Sequence, residues 1–285
     1  DFVEKLFVAS THAYLMFLTS KGICYWLKVY KIPEGERAAR GRPLVNLLQL
    51  DPDEKITAVV PVQEFSEDKY LFTATRQGIV KKTVLSAYQN IRRDGIIALK
   101  IQEGDDLIGA EVTDGNQDIL LTTRRGIAVR FGENDVRTVG RVSTGVKGID
   151  LRAGDEVVGM VVVQDQASLL TLSENGYGKR TEVEVYPTIR RGGKGVIDIK
   201  TTERNGDIVA SKMVQDEDEV MIVTANGIMI RLPVESISQI GRNTQGMRVI
   251  NLGDGDRVID MTQVVQEEIE EEEGVEGDEE SETLA

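Results

Sequence analysis

Apolar and polar residues alternate along this chain in a layout that occurs five times. Each copy has an apolar run, a short polar turn with a glycine, and a second run: LMFLTSKGICYWLKV, YLFTATRQGIVKKTV, ILLTTRRGIAVRF, LLTLSENGYGKRT and VMIVTANGIMIRL. The turn glycines are Gly22, Gly78, Gly126, Gly176 and Gly227. Two β-type runs joined by a glycine-containing turn predict a β-hairpin in each copy.

A second glycine and two further apolar runs follow each hairpin. This glycine lies 19 residues after the first in four copies and 17 residues after it in the other: Gly41, Gly145, Gly195, Gly246 and Gly95. The runs that follow predict a third strand in each copy: LVNLLQL, IIALKI, VKGIDL, VIDIK and MRVINL. A turn with an aspartate then precedes a predicted fourth strand, at Asp53, Asp105, Asp155, Asp207 and Asp256.

The opening residues DFVEKLFV fit the last strand of one more copy, with Asp1 in the aspartate position. The aspartates are 49 to 52 residues apart, so we predict six units, the first of which keeps only its last strand at 1–9 because the sequence begins within a repeat. Units of four short strands cannot bury both faces alone and must pack against neighbours. The predicted fold is all-β, a six-bladed propeller-like ring of four-stranded antiparallel blades over 1–263. A linear β-solenoid is the alternative.

The acidic excess is concentrated at the end of the chain. Residues 264–285 carry eleven Asp or Glu and no Lys or Arg, so the formal charge of −14 becomes −3 without them. A segment of like charge with little apolar content cannot offset its ordering entropy, and we predict a disordered acidic tail. The tail either keeps the protein soluble or competes with an anionic ligand for basic sites.

The residues needed for common catalytic or metal sites are scarce. Cys24 and His12 are the only cysteine and histidine, so a disulfide framework and a zinc site are excluded. We expect Cys24 to be a small apolar residue in a strand and His12 to lie in a turn. GGKG lacks the Ser or Thr of a phosphate-binding P-loop, and GDGD at 253–256 lacks the pattern of a calcium loop. We predict no catalytic residue, metal or cofactor in this domain. The chain also has no membrane-spanning run or signal peptide, and we expect it to be cytoplasmic.

One column of the repeat is basic. The fourth residue after the first glycine is Trp26 in the first copy, with Lys28 two positions further, and in the other copies it is Lys82, Arg130, Arg180 or Arg231. Lys81 and Lys179 directly precede two members of the column. Equivalent positions of a repeated fold occupy equivalent places, so we predict one basic cluster per blade along the outer rim. Salt screens charges over about 8 Å, so an acidic total is compatible with an anion-binding edge.

The loop before the second glycine carries further cations: Arg37, Arg40, Arg42, Arg92, Arg93, Arg137, Arg141, Arg190, Arg191, Lys194 and Arg242. In RRGGKG, the glycines Gly192, Gly193 and Gly195 allow backbone N–H groups to approach a phosphate, while the arginines supply forked donors. This segment is therefore predicted to be a phosphate clamp. Alternatively the glycines build a tight turn that carries the chain between blades, and both roles are compatible.

The segment IRRGGKG at 189–195 resembles the Q-R-R-G-G-K-G box of the DNA gyrase A subunit, with Ile189 where the family has Gln. FVASTHAYLMFLTSKGICYWLKVYKIPEGERAARGRPLVNLLQL resembles the second blade of that subunit's C-terminal domain, and GRNTQG and GRVSTG resemble later blades. The resemblance implies a six-bladed β-pinwheel whose neighbouring blades exchange strands. It places the principal box in the first blade, most of which this chain lacks, so the copy at 189–195 belongs to a later blade.

The resemblance also implies a function and partners. The domain would wrap duplex DNA without sequence specificity and let gyrase introduce negative supercoils by ATP-dependent strand passage. The catalytic tyrosine, the metal site and the ATPase would lie in other domains or in the partner subunit. Partners would be double-stranded DNA, the rest of gyrase A, and gyrase B, in an A2B2 complex associated with the nucleoid. Alternatives are the C-terminal domain of topoisomerase IV, which bends DNA less, and a protein-interaction propeller; a propeller enzyme is the weakest interpretation.

Overall fold

The computed structural model describes residues 10–33, 43–51, 53–90, 92 and 94–264. The strands of the first two repeats are β1 (Tyr14–Thr19), β2 (Ile23–Lys28), β3 (Ile56–Val62), β4 (Tyr70–Thr75), β5 (Ile79–Val84), β6 (Ile96–Ile97) and β7 (Leu107–Thr113). Those of the third and fourth are β8 (Asp118–Thr123), β9 (Ile127–Gly132), β10 (Val146–Lys147), β11 (Val157–Val162), β12 (Ser168–Ser173), β13 (Tyr177–Glu182), β14 (Val196–Ile197) and β15 (Ile208–Val214). The fifth has β16 (Glu219–Thr224), β17 (Met229–Pro233), β18 (Met247–Arg248) and β19 (Val258–Val264).

The helical segments of these ranges are short 3-10 turns, none of them long and apolar enough to cross a membrane. They are Val29–Lys31, Leu44–Asn46, Leu85–Tyr88, Glu133–Asp135, Val183–Val185 and Val234–Ser236. The remaining regular structure is β, which confirms the all-β prediction.

All five predicted hairpins are present and share one turn design. Gly78 has a φ of 78°, and the other turn glycines have similar positive values, which other residues rarely adopt. Beside it, the backbone N–H of Ile79 donates to Thr75 Oγ1 at 3.1 Å. The same bond recurs at the equivalent positions of the first, third and fifth hairpins. The turns are therefore encoded locally by a hydroxyl residue and a glycine.

Neighbouring repeats exchange strands. The sheet orders are β3-β1-β2-β6, β10-β5-β4-β7, β11-β8-β9-β14 and β15-β12-β13-β18, so the short strand of each following repeat completes the sheet before it. All these pairings are antiparallel. The strand exchange implied by the family resemblance is thus confirmed.

The number of blades is five, and the prediction of six is wrong for the described residues. The fifth sheet has three strands, β17-β16-β19, and no segment within the described ranges supplies a fourth. Residues 1–9, predicted to be the last strand of an additional blade, lie outside the described residues. So does the predicted acidic tail apart from Val264, which ends β19.

The third strand of each unit is shorter than the sequence suggested. It has two residues in repeats two to five, where β6, β10, β14 and β18 pair with the preceding hairpin. In the first repeat LVNLLQL contains the 3-10 turn Leu44–Asn46 and no strand. The described residues offer this segment no preceding hairpin to pair with, so it lacks a partner that would extend it.

The hydrophobic core lies between sheets as well as within them. Met16 and Leu18 of the first repeat, for example, pack in one cluster with Leu71 and Leu99 of the second. The last strands of the repeats, β3, β7, β11, β15 and β19, line one central cavity of about 260 Å³. Strands of the first and fifth repeats share this cavity, so the blades surround a common axis. The linear solenoid alternative is therefore wrong.

Two singular residues lie where the sequence suggested. Cys24 is fully buried in β2, and burial raises the pKa of its thiol far above the ordinary range. His12 is exposed in the turn that precedes β1. Among the recurrent aspartates, Asp105 accepts the backbone N–H groups of Gln77 and Asp106, both at 2.9 Å. Asp155 and Asp256 bind the third and fifth hairpins in the same way. The recurrent aspartate thus closes a turn.

Candidate nucleic-acid interface

The outer edge of each of the first four blades is formed by the segment that arrives from the next repeat. The last strand of a repeat lies at the central cavity, and the second hairpin strand lies toward the outside. The incoming segment first runs parallel to that strand, where Val139 N donates to Lys82 O and Ile189 N donates to Arg130 O. It then bends through the basic loop and pairs as β10 or β14. The second-glycine loops thus lie on the outside of the ring.

The basic column lies beneath these segments. Lys82 is only 5% exposed and Arg180 6%, because the crossing chain covers them. Lys82 Nζ donates to the carbonyl of Glu133 at 3.2 Å and lies over the ring of Tyr70. Arg180 donates to the carbonyl of Ile237 at 2.7 Å and pairs with the carboxylate of Asp216. The sequence predicts Lys82 and Arg180 on an outer basic rim, whereas the structure buries both side chains.

The other two cations of the column, Arg130 and Arg231, are paired with carboxylates. Arg130 binds Asp118, with Nε 2.7 Å from Oδ2. Arg231 pairs with Glu219 but stays exposed, because no segment crosses its hairpin within the described ranges. The column is therefore a set of cations that hold blades or hairpins together, and it does not form the free belt predicted from the sequence.

Lys81 and Lys179 were also predicted to contact DNA, and both are buried. Lys81 is 1% exposed and Lys179 is fully enclosed. Their ammonium groups bind backbone carbonyls of the adjacent outer loops. A phosphate cannot reach them in this structure, so their placement on the DNA-facing surface is wrong.

Lys28 lies in the first blade among aromatic rings. Its Nζ is 4.9 Å from the centre of the Tyr14 ring and 5.7 Å from that of Tyr30. Trp26, the column member of this repeat, packs edge-on against Tyr14 and donates its indole N–H to the carbonyl of Tyr88 at 3.2 Å. Lys28 is partly exposed, so its charge remains accessible at the side of this blade.

The loop cations, in contrast, reach the surface. Arg92, Arg190 and Lys194 are exposed, and Arg141, Arg191 and Arg242 are partly exposed. The last three occupy the same place in their repeats, four residues before the second glycine. Each donates Nη1 to the carbonyl of an equivalent residue in the preceding repeat: Arg141 to Ile97, Arg191 to Lys147 and Arg242 to Ile197, at 3.2, 3.1 and 3.0 Å. Arg40, Arg42 and Arg93, also predicted to bind DNA, lie outside the described residues, as does Arg37.

The glycines of RRGGKG have a structural role. Gly195 has a φ of 70°, and a Cβ there would lie 2.4 Å from the carbonyl oxygen of Ala128. Gly192 has a φ of 76°, and its N–H donates to the carbonyl of Gly148 at 2.6 Å. A Cβ on Gly193 would meet the side chain of Ile189 at 2.9 Å. These contacts support the tight-turn interpretation, and the phosphate clamp stays a prediction.

Sequence reasoning missed exposed cations on and after the short exchanged strands: Lys100, Lys147, Lys200 and Arg248. They lie two or five residues after the second glycine, so the same repeat alignment contained the signal. Arg248 and Arg204 both pack on the ring of Tyr177, at 5.1 and 4.9 Å from the ring centre. The pKa of Tyr177 is lowered, mainly by a hydrogen bond from Arg204 and to a smaller extent by one from Arg248.

Fold and surface together define a class: a strand-exchanged β-propeller with exposed cations on its outer loops. The family described as DNA gyrase C-terminal domain, beta-propeller, matches residues 13–63, 69–114, 117–164, 167–215 and 218–264, one match per repeat. The chain therefore belongs to the family of DNA gyrase C-terminal domains.

Curated relatives agree with this assignment. The DNA gyrase A subunit of Escherichia coli (strain K12) is 46% identical over 266 residues, which cover 93% of this chain and 30% of that protein. The same protein of Salmonella typhimurium is 44% identical with the same coverage. The chain thus spans about a third of the length of these relatives.

Two solved structures are similar over most of the chain. The C-terminal domain of DNA topoisomerase IV matches with a TM-score of 0.82 at 26% identity. The match covers 89% of this chain and 80% of that domain's chain. A DNA gyrase A C-terminal domain has a TM-score of 0.79 at 26% identity, with 90% and 84% covered.

Proposed function

We propose that the outer edge of this domain binds duplex DNA without sequence specificity and wraps it around the blades. The observation that carries the proposal is the repetition of one arginine arrangement on successive blades. Arg141, Arg191 and Arg242 have equivalent anchors, so their charges recur at equivalent places along the edge. Exposed Arg190 and Lys194 add charge to the middle loop.

Energetics favour a continuous edge of this kind over a single strong contact. Bending 20–30 base pairs by 40–90° costs about 1–6 kcal/mol, and a wrap requires several such arcs. Counterion release on neutralising several phosphates can offset this cost. Contacts to the phosphate backbone carry no base information, which accounts for low sequence specificity. The glycine backbone of 192–195 would add N–H donors at one point of the path.

In the complete enzyme, the wrapped DNA would be presented to the strand-passage site of gyrase, so that ATP-dependent passage introduces negative supercoils. The domain itself would hold no catalytic residue, metal or nucleotide. The rest of gyrase A, together with gyrase B in an A2B2 complex, would supply the cleavage tyrosine, Mg²⁺ and ATP. Double-stranded DNA is then the partner of the outer edge, in the cytoplasm at the nucleoid.

A second candidate is the role of the topoisomerase IV domain, which would bend DNA and select substrate topology. The TM-score of 0.82 to that domain, against 0.79 to the gyrase domain, favours keeping it. A topological measurement separates the two. Nicked circular DNA is ligated in the presence of the 285-residue protein, and its linking number is compared with a protein-free control.

A shift in linking number that grows with protein concentration is expected for wrapping. Binding without a shift would contradict wrapping and favour bending. No binding of duplex DNA at low salt would contradict the DNA-binding function itself and leave a protein-interaction propeller.

A further inference from the structure

Two buried lysines occupy one position of the repeat. Lys81 on β5 and Lys179 on β13 are each the third residue after the glycine of their hairpin turn. The third repeat has Val129 at this position, so the fold can be built there without a lysine. A lysine whose ammonium is withdrawn from water is unusual and needs partners for its charge and its three N–H groups.

Both ammonium groups donate to equivalent backbone carbonyls, and Lys179 Nζ donates in addition to Thr181 Oγ1 at 2.8 Å. Lys81 Nζ donates to the carbonyls of Ala98, Gly140 and Arg141. Lys179 Nζ donates to the equivalent carbonyls of Asp198, Gly241 and Arg242, at 2.8, 3.1 and 2.9 Å. In each case the lysine of one blade holds the outer loop of the next blade at its arginine.

The same arginines are also held on their other side. The guanidinium groups of Arg141 and Arg242 donate to Ile97 and Ile197 in the short exchanged strands. The backbone of the arginine is thus fixed by the lysine and its side chain by the exchanged strand. Since a guanidinium has five N–H donors and one of them makes this bond, others remain for a phosphate.

The two lysines differ in whether a carboxylate lies beside the ammonium group. Lys179 has the carboxylate of Asp198 at 3.4 Å, whereas Lys81 has Ala98 at the corresponding place and makes no ion pair among the described residues. Burial lowers the pKa of Lys81 to about 8, so the charged form is held at a cost. A Lys81 ammonium group that stays buried without an ion pair is consistent with a role in positioning the loop that it binds.

We propose that Lys81 and Lys179 are positioning residues, which fix the arginine loops 140–145 and 241–246 for DNA without touching DNA themselves. The positioning of Arg141 and Arg242 for phosphate rests on the proposed DNA-binding function; the fixing of the loops does not. Each buried ammonium group thereby fixes the position of an exposed guanidinium group.

The test compares Lys81→Met and Lys179→Met with the unsubstituted 285-residue protein by hydrogen exchange and DNA titration. In Lys81→Met, amides of 140–145 should exchange about tenfold faster, since several hydrogen bonds to the loop are lost. In Lys179→Met the same should occur in 241–246. Loop 190–195 is the internal control, because the hairpin that it crosses has Val129 in place of the lysine. Its exchange rates should be unchanged in both variants.

DNA affinity should fall by about threefold to tenfold in each variant, with an unchanged slope of log affinity against log salt. A slope smaller by about one unit would mean that the lysine itself neutralises a phosphate, and would overturn the proposal. Unchanged exchange of the two loops would overturn it as well. Failure of the unsubstituted protein to bind DNA would contradict the proposed function, while the exchange data still test the fixing of the loops.

If a Met variant does not fold, Lys81→Gln and Lys179→Gln serve instead, because an amide keeps two N–H donors. Their loop exchange should lie between that of the unsubstituted protein and a full loss of protection. Unchanged protection in a folded Gln variant with unchanged DNA affinity would overturn the proposal.

Discussion

The guanidinium of Arg130 and the carboxylate of Asp118 meet across the β8–β9 hairpin, with Nε 2.7 Å from Oδ2. Arg130 also donates to the carbonyl of Val183, and Asp118 accepts the hydroxyl of Thr188, both in the next repeat. A cation that the sequence suggests is a DNA contact is thus the centre of a junction between two blades.

Replacing Arg130 should therefore destabilise the fold. Arg130→Met leaves the Asp118 carboxylate and the Val183 carbonyl without this donor, and we expect a loss of about 1–3 kcal/mol in the free energy of unfolding. Urea denaturation measures it, with exposed Arg152→Met as the control. A variant as stable as the control would contradict the junction role.

The salt dependence of DNA binding should follow the loop cations. In Arg190→Gln/Lys194→Gln, the slope of log affinity against log salt should fall by about two units, because two phosphate contacts are lost. Lys212→Gln, at the central cavity, is the control and should leave the slope unchanged. Equal slopes in both variants would remove this loop from the DNA path.

Two glycines of the same loop should differ in their tolerance of a methyl group. Gly192→Ala meets no atom closer than 3.6 Å and should lose about 1–2 kcal/mol from its positive φ alone. Gly195→Ala places Cβ 2.4 Å from the Ala128 carbonyl oxygen, so strand exchange must distort as well and about 2–5 kcal/mol should be lost. Thermal unfolding of the pair gives the order, and equal losses would contradict the close approach.

Lys81 should give the protein a distinctive alkaline stability profile. Its pKa is lowered from 10.5 to about 8, mainly by burial and secondarily by the charge of Arg141, so the folded state releases the proton before the unfolded state does. The shift in the pKa of Lys81 therefore adds to the free energy of unfolding above pH 10.5, where the side chain is neutral in both states. This contribution is lost as the pH falls through about 8. Between pH 7 and 10 the unfolding free energy should rise relative to Lys81→Met, by up to about 3 kcal/mol. Parallel pH profiles would show that Lys81 titrates normally.

Sequence alone determined the features that depend only on residues close together in the chain. Glycines and hydroxyl residues at fixed spacing specify the hairpin turns, and their repetition specifies stacked β units, because neither needs information from elsewhere in the chain. The basic loops before the second glycine were also visible as a repeated composition. Among the described residues, the repeat alignment placed the five hairpin turns correctly.

Tertiary structure decided which cations face water. Lys82 and Arg231 occupy one position of the repeat, yet Lys82 is buried under the segment that arrives from the next repeat, and Arg231 is exposed because no such segment arrives there within the described residues. Alternation along a strand predicts only the face on which a side chain lies. What covers that face depends on a partner segment 56 to 59 residues further along the chain, which pairs through backbone hydrogen bonds common to every sequence. The burial of Lys82 and Arg180 and the carbonyl cages of Lys81 and Lys179 follow from this exchange.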